Sequence, residues 1–485
     1  MKQYTLLLMS IISALLITTL LFGSGLGLMA TFVTAALLIT FMISFKQAGK
    51  LTLKKGLLLF IALICLSLSF LLRDQMLLHL LNLLVFFGLS IVYSIQMLDN
   101  QPFKINSRMI IKSLEQLVYP IGEFSVPIAL VFKNKKNKKL KDLDPKIRSV
   151  LIGLIIALPL LIIFTTLLAS ADDVFSSMVN IDFSFLNDFF DGTTIPKIIV
   201  AVFSTFYIFS FFYFLLYKEK EEEIQAEPFI SGDVIIKSDT SKDIIVTTVL
   251  ILMNLLFLIF TFIQFKYLFS KANIGLDGLT YSTYARKGFF ELTVISMLNI
   301  GLLLACSRFT KNKINNSLMS ITVITTLVIA YSAIFRMNLY IWAYGYTWLR
   351  IVSLSFIILQ MILLVITAIY LWYRKINIHV IIASIYLIAY IGLNFTNVDY
   401  FIVEGNINRY LDGKELDVYY FETLTYDATD SLIKYFIEFS DQEAHQQAFK
   451  DIRNVLLNIE YSLEEDFKWY HYNYSKFHAK KLLNQ

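Results

Sequence analysis

Gly278-Leu-Thr-Tyr-Ser-Thr-Tyr-Ala-Arg-Lys-Gly-Phe-Phe-Glu-Leu292 places two phenols, two bases and a carboxylate at the mouth of an apolar run. Tyr281, Tyr284, Arg286 and Glu291 carry the chemistry of this stretch. A second polar stretch, Trp342-Ala-Tyr-Gly-Tyr-Thr-Trp348, lies between Arg336 and Arg350 and adds Tyr340 and Tyr344. Arginine binds phosphate and carboxylate in bidentate fashion, so guanidinium and phenol groups on one side of a membrane would suit an anionic ligand. The plainer alternative is that each arginine pairs with a carboxylate of the fold, because charges at membrane depth need partners whatever their role. Glu291 is the local candidate for that pairing, with Asp399, Asp417 and Asp427 further along. Glu291 could also serve as an acid or a proton relay, but a fixed ion pair is the simpler expectation.

Other chemistry is poorly represented. No P-loop, dinucleotide fingerprint, HExxH or GxSxG occurs. His79 and Asn82 share a helix face, yet no second His, Cys or Glu stands at metal spacing, so no metal and no cofactor is expected. Cys65 and Cys306 both lie inside apolar runs and read as small buried hydrophobes. The acidic loop with Asp172, Asp173, Asp182, Asp188 and Asp191 matches no calcium-loop spacing. Asn254, Gln264, Asn299 and Gln360 are expected to hydrogen-bond between helices.

The elements that must position these groups are membrane spans. Of 485 residues, 57% are hydrophobic and 16% charged, against about 25% charged in a soluble chain. Eleven runs are long enough to cross a bilayer: 4–22, 25–45, 56–72, 76–97, 149–169, 197–217, 244–265, 289–306, 318–336, 351–373 and 378–395. The first lacks a small-residue cleavage site and reads as one arm of an uncleaved hairpin. Residues 117–132, which contain Pro120, Glu123 and Pro127, read as an interfacial or re-entrant piece. With the N-terminus inside, the inner segments hold 25 Lys and Arg and the outer loops 8. That asymmetry orients the chain and puts the C-terminus outside. The basic run between Lys133 and Lys141 is read first as a topology signal and second as an attraction to anionic lipid. No aromatic or motif context accompanies it, so no nucleic-acid partner is expected.

Hydropathy falls after Phe395. Residues 396–485 read as a small all-helical domain of about four helices, with ten tyrosines and Trp469. Ser440–Glu443 and Ser462–Glu465 have the capping-box pattern that opens helices. Phe449, Ile452, Leu456 and Ile459 give an apolar stripe, and Asp412-Gly413 marks a turn.

The cassette at 278–292 resembles the hallmark of polytopic bacterial proteins grouped as domain of unknown function 4173, and the related 4153. So do Tyr344-Gly-Tyr-Thr-Trp-Leu-Arg350, Asn406-Ile-Asn-Arg409, Leu416-Asp-Val-Tyr-Tyr420, Leu424-Thr-Tyr-Asp-Ala428 and Trp469-Tyr-His-Tyr-Asn-Tyr-Ser475. Phe421 stands where that pattern suggests a leucine. The resemblance implies a bacterial cytoplasmic-membrane protein with an outward helical tail, and no activity. It adds Asn406, Arg409, Asp417, Tyr420, Asp427, Trp469 and Asn473 to the site candidates. The functional expectation is a non-enzymatic envelope protein whose outer loops and tail bind an anionic lipid, peptide or partner protein, with export or sensing as roles. The alternatives are an enzyme acting on a lipid-linked phosphate, and a structural clamp of arginine–carboxylate pairs. The enzyme requires two carboxylates converging on an open cleft.

Overall fold

Inside hydrocarbon every backbone N–H and C=O must be satisfied within its own segment, so long apolar runs fold as helices. The computed structural model of the chain follows that rule. It describes residues 2–23, 26–51, 56–98, 107–132, 194–218, 240–269, 281–310, 312–465 and 471–484. Among them nine helices are long and apolar enough to cross a membrane. A tenth, Leu57–Leu72, is apolar but shorter. The expected span at 149–169 lies outside the described residues, as do the basic run from Lys133 and the acidic loop that follows.

The residues divide into two compact units. The first comprises Met1–Leu71, Met76–Phe229 and Lys468–Asn473. Its helices are α1 (Lys2–Phe22), α2 (Leu28–Gln47), α3 (Leu57–Leu72), α4 (Met76–Leu98), α5 (Ser107–Gly122), α6 (Ser125–Phe132) and α7 (Thr194–Tyr213). The α1 helix packs on α2 and α7, and α5 packs on α7 and α4. The stretch expected to be interfacial or re-entrant is two helices, α5 and α6, parted at Glu123–Phe124 just after Pro120. The Gln116 amide donates to the Phe211 carbonyl at 3.1 Å, and the Tyr207 hydroxyl to that of Leu117 at 3.1 Å.

The second unit comprises Leu72–Gln75, Ile230–Phe467 and Tyr474–Gln485. Its membrane helices are α8 (Thr240–Phe269), α9 (Tyr281–Phe309), α10 (Lys313–Tyr344), α11 (Trp348–Trp372) and α12 (Ile378–Phe395). The α10 helix is central and packs against α8, α9 and α11. Asn254 bridges α8 to α10, donating to the Leu318 carbonyl and accepting from Thr322. Asn299 donates to Thr326. Gln360 departs from the expectation for these amides. It is fully buried on α11, and neither end of its amide has a hydrogen-bond partner among the described residues.

Beyond Phe395 the helices are shorter: α13 (Val398–Leu411), α14 (Val418–Phe421), α15 (Thr429–Phe439), α16 (Gln446–Glu465) and α17 (Tyr474–Leu483). Ile452 and Leu456 of the expected stripe are buried with Ile407, Phe421, Leu432 and Phe439, and Phe449 and Ile459 pack on that core. Glu404 of α13 accepts from Lys434 at 2.8 Å and from Tyr435 at 2.7 Å, tying α13 to α15. Neither capping box opens a helix. The Ser440 hydroxyl donates to the Ile437 carbonyl at the end of α15, and Ser462 donates to Asn458 inside α16. Both hydroxyls satisfy carbonyls behind them, the competing use of serine in helices.

Candidate functional site

The α10–α11 turn is the centre of a densely bonded polar cluster. The long helix α10 ends at Tyr344, leaving its last carbonyls without intrahelical donors. The chain then turns at Gly345, with φ +85° and ψ 175°. That region of backbone space is open essentially to glycine alone. The position is also crowded, since a Cβ there would lie 2.4 Å from Asn406 Oδ1.

Asn406 of α13 grips the backbone of the next residue, Tyr346. Its Oδ1 accepts from the Tyr346 N–H at 2.7 Å, and its Nδ2 donates to the Tyr346 carbonyl at 2.9 Å. Asn406 is 7% exposed, so both bonds are shielded from water. The α13 backbone approaches closely here, because a Cβ on Gly405 would stand 2.5 Å from the Tyr346 ring. Tyr420, just after α14 begins, accepts from the Trp348 N–H at 2.7 Å and so holds the first residue of α11. Burial pushes the Tyr420 phenol above its ordinary range. Asp417 caps α14, accepting from the Tyr420 N–H at 3.2 Å.

Two arginines complete the turn. Arg409 donates from Nε and Nη2 to the Trp342 carbonyl, at 3.2 and 3.0 Å, and from Nη2 to Ala343 at 3.2 Å. Arg350 donates from Nη1 to the carbonyls of Tyr344, at 2.9 Å, and Gly345. Its guanidinium lies 4.1 Å from the centre of the Tyr340 ring, and Tyr340 packs edge-on against Tyr344. Cations at a helix C-terminus satisfy the open carbonyls and the negative end of the dipole together. Burial, followed by the like charge of Arg350, lowers the Arg409 guanidinium from its ordinary range. Lys414 adds a third cation, 3.9 Å from the centre of the Trp342 ring.

A second cluster lies at the other end of α13. Asp399 is 4% exposed and accepts from the Thr425 N–H at 2.9 Å and its hydroxyl at 2.6 Å. Asp427 pairs with Arg73 at 2.8 Å, and Arg73 also donates to the Phe395 carbonyl at 2.9 Å. Asn397 donates to the Asp427 carbonyl while capping α13. Burial, above all, raises the Asp399 carboxyl, and the Asp427 charge adds to it, against the pull of Thr425 and Arg73. Close by, Lys476 of α17 lies 3.7 Å from Asp74.

The site candidates therefore separate. Tyr340, Tyr344, Arg350, Asn406, Arg409, Asp417 and Tyr420 all fall at or beside the α10–α11 turn. Arg336 is half-buried and engaged, about 12 Å back along α10 at 1.5 Å per residue. Asp427 belongs to the Arg73 cluster. Asn473 is buried and engaged within His471–Asn473 of the first unit, where the Tyr472 carbonyl accepts from the Leu28 N–H at 2.8 Å. The side chains of Tyr281, Tyr284, Arg286 and Glu291, though on helix α9, lie outside the described residues, and so does Trp469. Among the described contacts Arg350, for which pairing with a carboxylate was one alternative, bonds backbone carbonyls, as does Arg409. Sequence reading missed Arg73, which counted only as a loop charge, and Lys414. No group of three or more metal-ligating side chains occurs among the described residues. An apolar pocket in the first unit, lined by Phe41, Phe86, Phe211 and Phe212 among others, has no carboxylate in its wall.

Fold and site define a class: an all-helical, multi-pass membrane protein in which a short helix past the last span grips the turn between two spans. The chain belongs to the family described as Domain of unknown function (DUF4153), whose model matches residues 60–435. No curated protein and no solved structure matches it.

Proposed function

We propose that this is a non-enzymatic protein of the bacterial cytoplasmic membrane that binds an anionic envelope component at the α10–α11 turn. The turn and helices α13–α17 lie on the side that the Lys and Arg count places outside. The observation that carries the reading is the charge balance at the turn. Arg350 and Arg409 share one helix end, and what opposes them among the described contacts is backbone carbonyl rather than carboxylate. A helix C-terminus supplies only about half a negative charge. Two guanidiniums exceed that by about 1.5 charges, an excess that an anion would neutralise. The meeting of the Tyr344–Arg350 and Asn406–Arg409 stretches at this one turn supports one shared binding surface.

The enzyme alternative fares less well. Asp399 and Asp427 do approach one another, but Asp399 is sealed under Thr425 and Asp427 is held by Arg73. The structural clamp is part of the account, with Asn406 as its main jaw.

A photo-crosslinking amino acid in place of Trp342, which is 57% exposed, tests the reading in intact membranes. The expected result is a discrete adduct with an anionic component that is lost in Arg409→Gln. Absence of an adduct, or one indifferent to Arg409, contradicts it.

A further inference from the structure

The surroundings of the cation cluster point to the source of its anion. Trp342, Tyr344 and Leu349 are all exposed beside it, and Tyr340, Tyr346 and Trp348 lie within the same eleven residues. Aromatic side chains with one apolar and one polar end collect at the headgroup layer of a bilayer, at the ends of spans. The turn joins the ends of two such spans, α10 and α11. Lipid phosphates lie at the ends of spans, where cations can reach them.

The donors left over have suitable chemistry. Arg350 spends Nη1 on the carbonyls of Tyr344 and Gly345, and no bond to its Nε or Nη2 is found among the described residues. Arg409 spends Nε and Nη2, and Nη1 remains. Lys414 is held by the Trp342 ring face, which leaves its ammonium protons for an acceptor. A planar guanidinium fork beside a mobile ammonium is a common way to hold a phosphate monoanion.

We propose that Arg350, Arg409 and Lys414 bind the phosphate of an anionic phospholipid, with the glycerol and acyl chains lying along the exposed face of Trp342 and Leu349. The proposal rests on the anion-binding reading above and names its ligand. A single lysine near an anionic surface contributes about 1 kcal/mol, roughly a five-fold change in binding.

The test uses the purified full chain, with native mass spectrometry and vesicle co-sedimentation. The probes are phosphatidylglycerol vesicles, phosphatidylcholine vesicles and inorganic phosphate. Phosphatidylglycerol is expected to be retained at least five-fold over phosphatidylcholine. Lys414→Gln, a change on the rim of the cluster, should reduce that preference about five-fold without altering thermal unfolding in detergent. Arg350→Lys should also reduce it. Millimolar inorganic phosphate should not displace the lipid. Equal retention of the two lipids, or an unchanged preference in Lys414→Gln, overturns the proposal. If inorganic phosphate binds in an Arg409-dependent way while phosphatidylglycerol shows no preference, the lipid assignment fails and the anion site stands. If neither binds, both fail.

Discussion

The Asn406 side chain closes a two-bond ring on the Tyr346 backbone, accepting from its N–H at 2.7 Å and donating to its carbonyl at 2.9 Å. An amide side chain that satisfies both backbone polar groups of one residue copies what a neighbouring β-strand does, here on a bend between two helices. The two residues are 60 positions apart, so the ring fixes the α10–α11 turn against α13.

Gly345 makes that ring accessible. Gly345→Ala is expected to destabilise the protein by more than about 2 kcal/mol, combining backbone strain of about 1–3 kcal/mol with a Cβ pressed on Asn406 Oδ1. The measurement is thermal unfolding in detergent. An Ala variant as stable as the parent would show that the turn adopts another backbone conformation.

Asp399 gives the region a pH dependence. Its carboxyl is raised, chiefly by burial, so its neutral form is the one the fold prefers. Its contribution is complete below the ordinary carboxylate range and is lost as pH rises through the raised value. Stability should therefore increase as pH falls from neutral toward the ordinary carboxylate range. Below that range the Lys434–Glu404 pair weakens as the Glu404 carboxylate, held low by Lys434 and Tyr435, protonates. Asp399→Asn keeps an oxygen for Thr425 and should flatten the upper part of the profile. A variant with the parent's full slope there would assign the slope to another group.

Gln360 is a buried polar side chain with no hydrogen-bond partner among the described residues. A buried group left unsatisfied costs about 1–3 kcal/mol, and replacing it by an apolar group of similar shape recovers part of that. Gln360→Met should raise the unfolding temperature in detergent. A fall would mean that the amide has a partner, such as an ordered water or a ligand, in the working protein.

The spans were readable because about 20 apolar residues in series have few other uses. The stripe at Phe449, Ile452, Leu456 and Ile459 was readable for a similar reason, being a period with one solution. The Tyr344–Arg350 motif and Asn406 could be marked as important, but their partners could not. Arg350, Arg409 and Asn406 all bond to backbone, and a backbone carbonyl carries no residue identity for a sequence to display. Arg73 and Asp427 are 354 residues apart, and no local pattern signals such a pair. Ser440 and Ser462 were misread because a helix-capping serine and one bonded backwards into its own helix look alike in sequence.

The account stands or falls on whether α13 grips the α10–α11 turn through Asn406. Hydrogen exchange at the Tyr346 amide reports this most directly, since that N–H is bonded to Asn406 Oδ1. The full-length protein should show strong protection at Tyr346. In Asn406→Leu that protection should fall to the rate of an open loop, while the middle of α10 stays protected. Loop-rate exchange at Tyr346 in the parent, or protection unchanged in Asn406→Leu, would contradict the account.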